Sequence, residues 1–227
     1  MLRNNIQTYN APKQDDLSVE PKHEVSVLLQ FIDCTISGFC PYYQAVKDSD
    51  KENRISEFLS FYFNACLRQD PYSGFPPFNF SKNPTQPNSD KETDIGVTVL
   101  SLSSKPVTII EFEAKRFSET SKYKEYVSGV RGGLERFKRG EHASHLSVCG
   151  MFGYVQSRTS TEWIDKVNKW IGILSQANTD VDIDWANQDE KLSSINSFPK
   201  VEKLKSINKR KKSLNPIILY HYFLELF

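Results

Sequence analysis

Thr93-Asp94-Ile95-Gly96-Val97-Thr98-Val99-Leu100 is followed, after Ser101–Pro106, by Val107-Thr108-Ile109-Ile110-Glu111-Phe112-Glu113-Ala114-Lys115. Both runs read as strands and the stretch between them as a turn, so the two form a hairpin. With the turn centred between Ser103 and Ser104, Asp94 lies opposite Glu113. Glu111, Glu113 and Lys115 alternate with Ile110, Phe112 and Ala114, which puts the three charged residues on one face. Cross-strand neighbours have Cβ atoms roughly 5 Å apart. The hairpin therefore gathers Asp94, Glu113 and Lys115 into one cluster. Two carboxylates this close repel unless a cation sits between them, and oxygen donors suit hard ions such as Mg²⁺ or Mn²⁺. A lysine beside the ion positions an attacking water or stabilises charge on a phosphoryl oxygen. The same alternation also describes the solvated face of an amphipathic edge strand.

Working outward, Ile55, Phe58, Leu59, Tyr62 and Cys66 recur at helical spacing. They predict a helix from about Asn53 to Arg68, stopped by Pro71 and Gly74. Upstream, the apolar segment Glu24–Ile36 is read as a helix ended by Gly38 and Pro41. Residues 70–92 form a loop with a short strand at Pro77–Phe80. Downstream, Tyr123, Tyr126, Val127, Val130, Leu134 and Phe137 predict an amphipathic helix over 122–139. Gly132-Gly133 interrupts it at about 1 kcal/mol each relative to Ala. The missing side chains there serve a close packing contact or a bound phosphate backbone. Leu146–Val155 reads as a buried central strand, Thr161–Ser175 as a helix and Pro216–Phe227 as a terminal strand. The order helix, strand, strand, strand, helix, strand defines a mixed α/β sheet with helices on its faces. The chain divides into an arm and helix over 1–46 and an α/β domain over 47–227.

The 227 residues carry a net charge of +1. With 38% hydrophobic and 12% aromatic residues, the chain is too apolar to be disordered. No stretch is read as spanning a bilayer, and Met1–Asn5 lacks the apolar run of a signal peptide. Cys34, Cys40, Cys66 and Cys149 form no CxxC pair, and a reducing cytoplasm is expected. His142 and His145 are neighbours, but no second pair of ligands has zinc spacing. Charge is unevenly spread. Lys115–Gly140 holds eight basic and three acidic residues, Lys200–Lys212 seven and one, and Asp180–Glu190 five acidic and none basic. Such a distribution either presents a basic face to phosphate or belongs to solvated surfaces.

Thr93-Asp94 and, across the hairpin, Glu113-Ala114-Lys115 resemble the motif of the PD-(D/E)xK nuclease superfamily. Gly132-Gly133-Leu134-Glu135-Arg136-Phe137-Lys138-Arg139-Gly140, leading into Cys149–Val155, is similar to bacterial members of defence type. The likeness covers about half the chain. It implies a restriction-endonuclease-like αβββαβ core with Asp94 and Glu113 as ligands of Mg²⁺ or Mn²⁺ and Lys115 assisting the attacking water. Many members add a Glu on the first helix. Here that would be Glu57, which points about 160° from the apolar stripe of its helix, towards solvent or a cleft. Arg116, Arg131, Arg136, Lys138, Arg139 and the tract Lys209–Lys212 would hold the nucleic-acid backbone. Thr93 stands where the motif often has Pro, and the helix after Lys115 lacks a Gln-x-x-x-Tyr pattern. The implied activity is DNA phosphodiester hydrolysis in phage defence or restriction, as a homodimer or with a partner protein. The alternatives are a nuclease-like module that binds nucleic acid or protein without cleaving, a glycosidase-type carboxylate hydrolase, and a structural protein.

Overall fold

The computed structural model describes residues 22–72, 74–84, 91–100, 107–120, 123–129, 132–177, 182–185, 190–211 and 214–227. Within these lie helices α1 (His23–Val46), α2 (Glu52–Cys66), α3 (Gly133–Arg139) and α4 (Ser160–Ala177). The strands are β1 (Phe78–Lys82), β2 (Ile95–Val99), β3 (Val107–Phe117), β4 (Val148–Val155), β5 (Ser193–Phe198), β6 (Val201–Asn208) and β7 (Ile217–Glu225). They form one mixed sheet of seven strands in the order β1-β2-β3-β4-β7-β6-β5. β1, β2 and β3 make an antiparallel meander, β3, β4 and β7 run parallel, and β6 and β5 return antiparallel.

Alternation on the central strands builds two apolar layers. Ile110, Phe112 and Ala114 of β3, with Phe152 and Tyr154 of β4, pack against α1 and α2. Phe117, Cys149, Met151 and Val155 face the opposite layer, where Phe137 of α3 and Trp163, Val167 and Ile171 of α4 lie. Every residue of β4 is buried, as a parallel strand covered on both faces requires. Gly150 is a packing necessity, since a Cβ there would lie 2.2 Å from the Phe112 ring, which is stacked on Phe152.

Several expectations are revised. α1 continues through Gly38 and Pro41 to Val46. Gly38 admits the Tyr62 hydroxyl of α2, which would sit 2.2 Å from a Cβ, so contact with α2 rather than helix termination explains it. α1 shares its core with α2 and the sheet, and a division at residue 46 therefore separates two helices of one core. α1 is also long and apolar enough to cross a membrane by length and composition, with half of that window buried inside the protein. The helix read over 122–139 is a 3₁₀ turn, Tyr123–Tyr126, followed by the seven-residue α3. Gly129 breaks it with φ +108. Gly133 lets α3 sit on the sheet, a Cβ there meeting Met151 at 2.4 Å and Glu113 at 3.5 Å. The expected terminal strand is present as β7, which lies between β4 and β6 in the sheet. Much of the tract read as basic is strand β6, with Val201, Lys203 and Leu204 buried.

Candidate active site

The β2–β3 ladder pairs Ile95 with Phe112 and Gly96 with Glu111, and continuing it one step brings Asp94 to Glu113. The expected register holds at this end of the hairpin. A bulge between Val97 and Thr98 slips it nearer the turn. β3 is not an edge strand. Glu111 and Glu113 are buried and Lys115 keeps only 12% of its side chain exposed, so the solvated-face reading fails on burial.

Asp94 accepts the Ala114 N–H at 2.7 Å. Burial, then the neighbouring Glu113 charge, push its pKa up to about 6, against the pull of Lys115. The Lys115 ammonium donates to Glu113 at 2.7 Å and to the Ala114 carbonyl at 2.8 Å, and reaches Glu52 at 3.5 Å. Burial alone would lower its pKa, but Glu113, Glu52 and Asp94 outweigh that and raise it. Lys115 is therefore a cation at neutral pH. Arg136 of α3 lies 3.5 Å from Glu113, and buried His142 lies 3.1 Å from Arg136 and 3.6 Å from Glu113. Burial and the Arg136 charge drive the His142 pKa down to about 3, so the ring is neutral.

A pocket of about 340 Å³ lies beside this cluster, lined by Lys51, Glu52, Asn53, Lys115, Arg116 and Glu125. It sits where β3 ends and α2 begins, outside the carboxyl end of a parallel strand, where open α/β sheets hold ligands. Glu52 accepts the Arg116 N–H at 2.9 Å, and the Arg116 guanidinium donates to the Asp50 carbonyl at 2.9 Å. These bonds fix the strand end to the start of α2.

The structure brings together Asp94, Glu113, Lys115, Arg116 and Arg136. It does not bring in Glu57, which is exposed and paired with Arg54 at 2.8 Å. The α2 carboxylate at Lys115 is Glu52. A helical wheel ranks positions by angle, and Glu52 reaches the site because it stands at the helix end. Lys138 is fully buried against Glu190 and donates to the Asp184 carbonyl at 2.6 Å, so it is not a phosphate contact. Arg139 is held by Glu135 at 2.9 Å. Arg131 and Lys212 lie outside the described residues. In the basic tract, Arg210 is buried and Lys209 lies 3.4 Å from Asp184. The acidic stretch thus neutralises part of the basic one within the molecule.

Glu111 continues the polar face. Thr93 donates to it at 3.0 Å, and His145 stands 3.8 Å away. Burial raises its pKa from 4.5 to about 7, and the Thr93 bond only partly offsets that. Ionising Glu111 therefore costs the folded state between those two values, so stability falls as pH rises through that window. We expect Glu111→Gln to gain thermal stability over the wild type from pH 4.5 to about 7 and to level off above. A parallel pH dependence of the two melting temperatures would contradict it.

Among the described residues, no group of three or more His, Cys, Asp or Glu side chains is disposed to hold a metal ion. Mg²⁺, however, is commonly held by one or two carboxylates, with waters and substrate phosphates completing its shell. Asp94 and Glu113 are two converging carboxylates, one with a pKa raised by burial and by the other's charge, and they fit such an ion. Comparison with known protein families, curated proteins and solved structures finds no match.

Proposed function

We propose that the chain is a divalent-cation-dependent nuclease hydrolysing phosphodiester bonds in DNA, centred on Asp94, Glu113 and Lys115. The observation that carries this reading is the hairpin register. It sets a partly buried aspartate with a raised pKa beside a buried glutamate and a charged lysine, and the lysine lines a pocket. The order α2, β1–β2–β3, α3, β4, with β4 parallel to β3, supports a restriction-endonuclease-like core.

Asp94 and Glu113 would hold Mg²⁺ or Mn²⁺, which when bound supplies a Lewis acid at the phosphoryl oxygen and lowers the pKa of water. Lys115 places an ammonium where negative charge builds on the phosphoryl group, inside a low-dielectric site that strengthens its effect. Glu52 fixes that ammonium and the Arg116 amide, taking the place first given to Glu57. Lys51 and Arg116 line the pocket and hold the flanking phosphates. The backbone track accordingly runs past the start of α2 rather than along the basic tract 209–212.

The test is cleavage of linear and circular DNA with Mg²⁺, Mn²⁺ or EDTA. The wild type should cut only with metal. Glu52→Gln should lose about 10-fold or more in rate, since a displaced Lys115 misaligns the reacting groups, while Glu57→Gln should cut normally. A loss confined to Glu57→Gln would refute the assignment of the helix carboxylate. No cutting, together with no metal effect on melting, would favour a module that binds nucleic acid or a partner protein without cleaving.

A further inference from the structure

We propose that His142 is a positioning residue of this centre, whose imidazole accepts an Arg136 N–H and holds that guanidinium beside Glu113 to meet the substrate phosphate. The inference rests on the nuclease reading and extends it to a residue which neither the motif nor the pocket lining includes.

The local fold explains how the ring arrives there. α3 ends at Gly140, whose left-handed backbone has φ +68. The chain turns back at that point, with the Glu141 and His142 amides donating to the Arg136 carbonyl at 2.9 and 3.3 Å. This returns the His142 side chain to Arg136, one turn away on the helix it has just left. The ring packs against Phe137, with centroids 5.9 Å apart, and is only 1% exposed.

The chemistry then constrains the tautomer. A guanidinium donates and never accepts, so at 3.1 Å His142 Nε2 must carry the lone pair and Nδ1 the proton. Nδ1 has no hydrogen-bond partner among the described residues, so the ring's side-chain hydrogen bond is the one it accepts from Arg136.

The other cations of α3 have carboxylate partners of their own. Lys138 is paired with Glu190 inside the core, and Arg139 with Glu135. Arg136 shares Glu113 with Lys115 and leans on an uncharged imidazole. A neutral acceptor sets the direction of a guanidinium without cancelling its charge. That charge, presented as a planar fork, suits the bidentate geometry of a phosphate.

The experiment measures kcat and KM of Mg²⁺-dependent DNA cleavage for the wild type, Arg136→Ala, His142→Leu, His142→Gln and the double variant Arg136→Ala/His142→Leu. His142→Leu should lose about 10- to 100-fold in kcat/KM, the scale of a misplaced catalytic contact. His142→Gln, whose amide oxygen falls near the Nε2 position, should recover most of that loss. The double variant should be no worse than Arg136→Ala, because the histidine acts through the arginine. The rise in melting temperature with Mn²⁺ should survive in every variant, since Asp94 and Glu113 are intact. Additive losses, or a His142→Gln as poor as His142→Leu, would overturn the proposal. Should His142→Leu not fold, ¹⁵N NMR of the wild-type imidazole decides independently, and a proton on Nε2 would refute it. A wild type that cuts, with His142→Leu cutting equally well, removes this proposal alone. A wild type with neither metal-dependent cutting nor a Mn²⁺-induced melting shift removes the nuclease reading as well.

Discussion

Asp94→Asn should abolish metal-dependent cleavage, by about 10³-fold or more, and at the same time raise the melting temperature of the metal-free protein. The two effects share one cause. Burial and the Glu113 charge hold the Asp94 pKa at about 6 instead of 3.8, so its ionised form is a cost to the folded state at neutral pH. A carboxylate with a raised folded pKa destabilises above that value, and the penalty disappears below the unfolded one. Asparagine removes the charge but retains an oxygen able to accept the Ala114 N–H, which Asp94 accepts at 2.7 Å. The stabilisation should therefore be full above pH 6 and vanish towards pH 4. Mn²⁺ should stabilise the wild type by mass action and leave Asp94→Asn unchanged. A functional carboxylate kept at a stability cost is what an ion-holding site requires. If Asp94→Asn lowers the melting temperature at pH 7.5, Asp94 is a structural ion-pair member and the metal assignment fails. If it cuts DNA normally, the proposed centre is wrong.

The clustering of Asp94, Glu113 and Lys115 was legible in the sequence because strand periodicity is rigid. A period of two and an assumed turn centre were enough to place Asp94 opposite Glu113; Ser101–Pro106 lie outside the described residues, and the bulge between Val97 and Thr98 shifts the register only beyond the cluster. Gly132-Gly133 likewise announced a close approach, and Gly133 makes one to Met151 and Glu113. Residues that act from element ends were not legible. Glu52 looks like any acidic residue in the first turn of a helix, and its role depends on where α2 starts relative to β3. His142 reaches the cluster through a single left-handed glycine after α3, which no hydrophobic pattern encodes. β5 was missed because Ser193–Phe198 is exposed along almost its whole length. β6 was missed because Lys203 and Lys205 suggested a solvated tract. Lys203 instead pairs with Asp33 of α1 at 2.6 Å and its ammonium lies 5.4 Å from the Tyr222 ring centroid, a contact across 170 residues of sequence.

Charge distribution misled most at Lys138, and there the structure makes its largest prediction for stability. The sequence places Lys138 in a basic run and Glu190 in an acidic one, as if the molecule had two opposed faces. In the fold the two meet with no exposure on either side chain, and the ammonium stands 4.6 Å from the Trp185 ring centroid. Burial lowers the Lys138 pKa and raises that of Glu190, each partly offset by the other's charge. Removing one member of such a pair strands the other charge in the core, which costs about 3–5 kcal/mol. Lys138→Met should therefore lose stability on that scale in denaturant unfolding at pH 7.5. The deficit should shrink as pH falls, because the stranded Glu190, with its raised pKa, then takes up a proton. Lys138→Met/Glu190→Leu should recover most of the loss, since apolar residues of similar volume replace a buried pair at little cost. Neither variant should change DNA affinity or its salt dependence while folded. A phosphate-binding lysine would instead weaken binding across all sequences and reduce the salt slope by about 1. A Lys138→Met protein of unchanged stability and weakened, less salt-sensitive binding would return Lys138 to the interface and undo the internal neutralisation of the two charged stretches. A destabilised one that binds normally makes the pair a fastener between α3 and the segment containing Trp185, with the proposed phosphate contacts at Lys51, Arg116 and Arg136 unaffected.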